Sequence, residues 1–428
     1  MSRYKPYPEY KDSGIKAIGT VPSHWVIAPL RSAMHRKKSV VGSAWQDFKL
    51  LSLTKSGVIE RDVTDNFGKF PESFETYQAV SPNDLVMCLF DIDETPRTVG
   101  LSETHGMITG AYTVFGIGNS AQRDYLYQLF LHLDNVKGLK PYYSGLRKTI
   151  RPPKLLGMRI PIPPAAESEA ISKHITTSQL RFDTLIEKKQ RFIELLEEKR
   201  QAVITQAVTK GLDPNVPMKD SGVEWIGAVP AHWGVVPLRR LCTLQTGATP
   251  PTSEEDNYTN DGIPWARPED IKEDSLTVEP SRMLTSKGAS YTRMIAVNSL
   301  LISCIGTIGK VGFVDYPVTT NQQITAATFH FGPAFYLYFL LAARSEIESL
   351  SVGNVISILN TERLGELMVV TPPPDEAELI ADSLTSEFEA IGGLIDKTRE
   401  SIELLKERRA ALITAAVTGK IDVREEAA

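Results

Sequence analysis

IELLEEKRQAVITQAVT at residues 193–209 returns as IELLKERRAALITAAVT at residues 402–418, identical at 12 of 17 positions with an offset of 209 residues. The chain is therefore internally duplicated. Around the first copy the apolar residues Phe182, Leu185, Ile186, Ile193, Leu196, Val203, Ile204 and Ala207 recur at three- and four-residue steps, which lays them along one side of a helix. Ile391, Leu394, Ile395, Ile402, Leu405, Leu412, Ile413 and Ala416 repeat the stripe in the second copy, so two helices carry matching faces that can bury each other. Pro163-Pro164 and Pro372-Pro373-Pro374 stand where such helices start, and Gly211 and Gly419 where they end. Roughly 45 residues at ~1.5 Å each give a helix of ~68 Å, the length of a spacer.

A second repeat shows that the duplication covers a complete unit. KDSGIKAIGTVPSHWVIAPLR at 11–31 matches KDSGVEWIGAVPAHWGVVPLR at 219–239 in 13 of 21 positions. Each unit then reads as a polar lead, this signature, a globule, a proline-marked exit and a long helix. The expected segments are a lead (1–20), a first globule (21–164), a helix (165–212), a linker (213–229), a second globule (230–373), a second helix (374–420) and a tail (421–428). The expected fold class is α+β: two pseudo-repeated mixed α/β domains separated by two long antiparallel helices forming a coiled coil. In the tandem His24-Trp25 and His232-Trp233, the tryptophan is expected to pin the opening strand to the core and the histidine to satisfy local backbone. Runs 84–90 and 301–314 read as buried strands, 124–133 and 334–350 as helices. Between these landmarks the two globules have little sequence in common.

At 428 residues the chain exceeds one ordinary core, and 42% hydrophobic with 23% charged residues is a globular composition. It contains no apolar run of membrane-spanning length, so a cytoplasmic protein without a membrane association is expected. Cys88, Cys242 and Cys304 are scattered without metal-ligand spacing and read as buried thiols. The net charge of −5 does not advertise nucleic-acid binding, although an acidic total can hide locally basic faces.

PIPPAAESEAI at 161–171 followed by one long helix, and TPPPDEAELI at 371–380 followed by another, together with the repeated opening signature, resemble the specificity subunits of type I restriction-modification systems, usually called HsdS. The resemblance covers essentially the whole chain. It implies two target recognition domains, each reading half of a bipartite, asymmetric double-stranded DNA site, with the helices fixing the gap. It further implies two modification (HsdM-like) subunits using S-adenosylmethionine and, where present, two restriction (HsdR-like) subunits using ATP and Mg. The helix pair would rest on Phe182, Ile186, Ile193, Leu196, Val203, Ile204, Ile391, Ile395, Ile402, Leu405, Leu412 and Ile413. One departure is Gly392-Gly393, standing where the first helix has Asp183-Thr184, which allows a kink or a close helix crossing.

Catalytic signatures are missing. The glycines of 305–311 do not match a phosphate loop and read as a tight strand pair, Phe115-Gly116-Ile117-Gly118 reads as a turn, and neither HExxH nor a histidine cluster occurs. The chain itself is expected to be non-catalytic, with no bound cofactor or metal. Candidate DNA contacts follow from the residue types that match base edges and phosphates. In the first globule these are Tyr142, Tyr143, Arg147, Lys148 and Arg151 beside Gly145, with Lys55 and Arg97. In the second they are Asn321, Gln322 and Gln323, whose amides suit adenine, with Arg267, Arg293 and Lys310. Two rivals remain: a tandem-repeat coiled-coil scaffold that joins protein partners without touching DNA, and a self-sufficient restriction or methylation enzyme.

Overall fold

The computed structural model describes residues 4–61, 73–92, 94–352 and 357–424; Gly353, at the second globule's exit, lies outside them. The chain divides into two compact units, Met1–Lys188 with Ser401–Ala428, and Lys189–Glu400. The division passes through both long helices, Ala165–Lys210 and Pro374–Val417. Each unit is thus one globule, the first part of its own helix and the last part of the other. Both helices begin at the prolines of the exits, where a missing N–H costs nothing. They stop before Gly211 (φ 72°) and Gly419 (φ 65°), left-handed residues that end a helix cheaply because they lack a Cβ.

Each globule is closed by the pairing of its opening strand with its closing strand. Val26–Pro29 runs antiparallel to Arg159–Ile162, and Gly234–Pro237 to Met368–Thr371. Inside the first lies a four-stranded sheet in the order His35–Arg36, Thr113–Gly116, Leu85–Met87, Val99–Leu101; inside the second the matching sheet runs Cys242–Thr246, Ile324–Phe329, Ser299–Ser303, Val311–Val314. The last two strands pair antiparallel and are joined through 304–310, which makes the tight strand pair expected there. The second globule adds another four-stranded sheet, Tyr258–Thr259, Arg282–Leu284, Ile263–Ala266, Thr319–Thr320, where the first has separate two-stranded pairs.

Helix Ser120–Asn135 follows the first sheet as expected. The run 334–350, expected as one helix, is two, Pro333–Ala342 and Arg344–Ser349. Ala343 between them is fully buried with ψ 8°, so the chain turns in the core and the two pieces present separate apolar faces. The three cysteines are buried thiols, and burial pushes Cys242 up to about 12.

Within each unit the helix segments pack side by side. In the first, Ile186 and Ile402 are buried, and Arg409 makes an ion pair with Asp183. In the second, Leu196 packs with Ile391, Ile395 and Ile193. There Glu197 pairs with Arg399 at 3.6 Å and Lys199 with Glu387 at 3.5 Å, pairings that make the segments antiparallel. All twelve residues expected at the helix interface are buried or half-buried. Leu185 and Leu394 are not part of it: both are nearly half exposed. Their neighbours Ile186 and Ile395 take the seam, and one residue along a helix is a rotation of ~100°. The Gly392-Gly393 pair sits in an unbroken helix, and a Cβ at either site would meet open space, so it marks no close crossing.

Candidate nucleic-acid interface

The scaffold around each globule is fastened by one carboxylate. Glu167, in the first turn of the first long helix and only 5% exposed, accepts from Trp25 Nε1 (2.7 Å) and Tyr7 OH (2.5 Å), and lies 2.7 Å from His24 Nε2. Glu376, 209 residues on, accepts from Trp233 Nε1 (3.0 Å) and lies 2.7 Å from His232 Nε2. Trp25 and Trp233 are fully buried, as expected of strand anchors. The histidines do not serve local backbone; they reach the helix carboxylate across more than 140 residues of chain. A carboxylate is favoured there because the first turn of a helix offers unsatisfied N–H groups and a positive dipole end. The glutamate of each exit was visible in the sequence, but nothing local joined it to His-Trp.

Held by this clamp, the first globule projects a tight loop. Ser144 and Thr149 exchange backbone hydrogen bonds of 3.0 and 3.1 Å, and Gly145 (φ 73°) and Lys148 (φ 44°) turn the chain between them. Leu146 at the tip is completely exposed, an apolar residue to which polar contact chemistry gives no pointer. Arg147 Nη2 is 3.2 Å from Asp91 Oδ2, with its guanidinium 5.7 Å from the centre of the Phe90 ring, and Lys148 Nζ is 3.9 Å from Glu94 Oε1. The Arg147–Asp91 pair is largely exposed, hence weak and exchangeable for an anionic ligand. Tyr142 and Tyr143 are half-buried at the base of the loop against the core, and Arg151 is exposed just beyond it. Arg97 is half-buried, 4.0 Å from Asp134, which Lys137 also approaches. Lys55 lies apart in the exposed turn between Leu51–Thr54 and Gly57–Glu60.

In the second globule the amide run caps a strand end. Asn321 is buried; its Oδ1 accepts from Gln323 N (3.0 Å) and its Nδ2 donates to Gln323 Oε1 (2.9 Å). Gln322 is exposed and accepts from Thr249 Oγ1. Thr292 Oγ1 donates to Thr320 O (3.2 Å), and Arg293, next in the chain, is exposed. Arg267 opens the turn before Pro268–Asp270 and is engaged by Glu269 (2.6 Å) and Ser281 (3.0 Å). Arg293 and Gln322 are therefore the exposed side chains here, Gln323 is half-buried with its Oε1 engaged by Asn321, and Asn321 and Arg267 hold the turn that presents them. Lys310 lines a different cavity, beside Arg200 and Lys272.

No helix among the described residues is long and apolar enough to cross a membrane. Residues 230–404 match the family model described as the type I restriction modification DNA specificity domain. Over 440 residues the chain is 22% identical to a provisionally named MjaX specificity subunit of a type I restriction enzyme from Methanocaldococcus jannaschii, covering 97% of this chain and 98% of the relative. The MjaVIII specificity subunit of the same organism is 26% identical over 282 residues, 62% of this chain and 63% of that one. Among solved structures, a chain from work on assembly and conformational transition of the type I R-M system aligns with a TM-score of 0.71 at 14% identity, over 94% of this chain and 99% of that one. The HsdS subunit of Thermoanaerobacter tengcongensis aligns with a TM-score of 0.55 at 15% identity, over 94% and 98%. These two likenesses establish a common fold.

Proposed function

The chain belongs to the specificity subunits of type I restriction-modification systems, and from that premise we propose that its two globules each read one half of a split, asymmetric double-stranded DNA target. The observation that carries the reading is a constant frame around unlike contents. Strand pairing, Trp–Glu clamp, sheet order, helix and even the turn before the exit, closed by Ser144 with Thr149 and by Val352 with Ile358, are repeated, whereas among the described residues the second four-stranded sheet has no counterpart in the first globule.

In the first globule Arg147, Lys148 and Arg151 approach the duplex from the exposed loop, with Leu146 as an apolar contact and Tyr142 and Tyr143 stiffening its base; Arg97 and Lys55 are outlying phosphate contacts. In the second, Gln322, Gln323 and Arg293 face bases or backbone, Asn321 and Arg267 set their presentation, and Lys310 adds charge. The two long helices form a coiled coil that fixes the gap between half-sites and docks two modification subunits. Exposed leucines and a phenylalanine support the docking: Leu185 and Leu404 in the first unit, Phe192, Leu195 and Leu394 in the second. The subunit is non-catalytic: methyl transfer with S-adenosylmethionine belongs to the modification subunits, and ATP- and Mg-dependent cleavage to restriction subunits where these are present.

The test is a domain exchange. The full chain is expressed with its modification subunits, once as it stands and once with residues 230–373 replaced by the corresponding part of a relative, and methylated positions are mapped across the host DNA. The reading requires one half-site to change while the other is kept. A target altered in both halves, or no methylation attributable to the chain, overturns it.

A further inference from the structure

The duplication supplies an internal control for a cavity in the second unit. Arg200 in the first long helix corresponds to Arg409 in the second, and Asp183 corresponds to Gly392. In the first unit Arg409 is neutralised by Asp183. In the second unit the aspartate's place is taken by glycine, and Arg200, half-buried, lies 4.7 Å over the Phe388 ring. It faces a cavity of about 130 Å³ that Lys272, Lys310 and Arg344 also line. The one carboxylate on the wall, Glu273, is held by Arg344 at 2.9 Å, and Arg344 is further paired with Glu348 at 3.1 Å. Among the described residues Arg200, Lys272 and Lys310 have no ion-pair partner. Phe388, with buried Ile204 and Val311, gives the cavity an apolar floor that concentrates the positive field.

We propose that this cavity is a binding site for a single phosphate group, left open because the second long helix carries glycine where the first carries the carboxylate that fills the matching arginine's donors. One face of the guanidinium is occupied by the ring, and its N–H edges stay available for paired bonds to phosphate oxygens, with Lys310 and Lys272 as point charges on either side. The phosphate can come from the backbone of bound DNA or from a free anion. The chemistry is the same, and the assay separates the sources. The inference stands independently of which bases the globules read.

The experiment uses the full chain and two readouts. Calorimetric titration with inorganic phosphate against chloride at equal ionic strength is expected to give saturable binding. Gly392→Asp, which restores the missing partner of Arg200 at a position with room for a side chain, is expected to weaken it about tenfold or more, as is Lys310→Gln. Lys310→Arg is expected to retain it, and so is Gly392→Ala, which changes the helix without adding charge. The second readout is the salt dependence of binding to a short DNA duplex. If DNA supplies the phosphate, Gly392→Asp lowers the slope of log K against log salt by about one; if a free anion does, the slope is unchanged while the calorimetric loss persists. Absence of phosphate binding in the unaltered chain, together with an unchanged slope, overturns the proposal. So does phosphate binding that Gly392→Asp leaves intact.

Discussion

The two buried tryptophans show how much a single side chain carries here. The buried Glu167 accepts from Trp25 Nε1 and Tyr7 OH and lies against His24, so Glu167→Ala strands two buried donors and removes the histidine's partner at once. A loss of about 2–3 kcal/mol in local stability is expected, read by hydrogen exchange of the opening strand and the first helical turn. Glu376 is more exposed and has two partners, so Glu376→Ala should cost about 1 kcal/mol. His132 gives the first unit a pH dependence. Burial holds its pKa below the ordinary 6.5, and its neutral ring lies 3.3 Å from Ala17 O and 3.2 Å from Thr414 Oγ1. The unfolded chain therefore takes up the proton more readily. Stability of this unit is full above pH 6.5 and declines as the pH falls through that value toward the folded pKa. Thermal melts from pH 8 to 5 should show the decline, and His132→Gln should flatten it. In the proposed DNA contact, Arg147→Ala should cost about 1–3 kcal/mol of affinity and relax one half-site only; a uniform loss across all sequences would make Arg147 a phosphate contact instead.

At the level of elements, the helices were legible because period, proline start and glycine stop all agree, and each is a local property. The split at Ala343 was not, because its cause is burial of that turn among residues from the rest of the second unit. The exposure of Leu185 and Leu394 was hidden for a related reason: each is apolar and adjacent to a seam residue, and only a partner's position tells the two apart. The candidate contacts divide along the same line. The basic character of 142–151 can be read from composition, but the pairing of Ser144 with Thr149, which leaves Leu146 in solvent, sits beside a long-range bond from Ile150 N to Leu89 O that composition does not reveal. Asn321 and Gln322 are neighbours of similar chemistry, and the fold buries one and exposes the other. Gly392 offers a test of helix physics with no packing to confuse it. A Cβ there touches nothing, so Gly392→Ala should stabilise the second unit by about 1 kcal/mol, measured as a raised denaturant midpoint at unchanged slope.

For the whole molecule, the proposed gap between half-sites rests on helix length, and length can be edited. Four residues inserted in each long helix at matched positions, for instance after Lys189 and after Thr398, lengthen the pair by ~6 Å, since each residue adds ~1.5 Å. DNA advances ~3.4 Å per base pair, so the unread gap should grow by one or two base pairs while both half-sites keep their sequence. Four residues also overshoot a whole turn by ~40°, and the seam must be continued with apolar residues at Ile193- and Ile402-like positions to keep the helices paired. Insertion into one helix alone breaks the register of Leu196 against Ile391 and Ile395 and should lower stability without defining a new gap. Mapping of methylated bases in cells carrying each variant reads the outcome directly. A gap that stays fixed through matched insertions would mean that the spacing is set by the partner subunits and not by this chain.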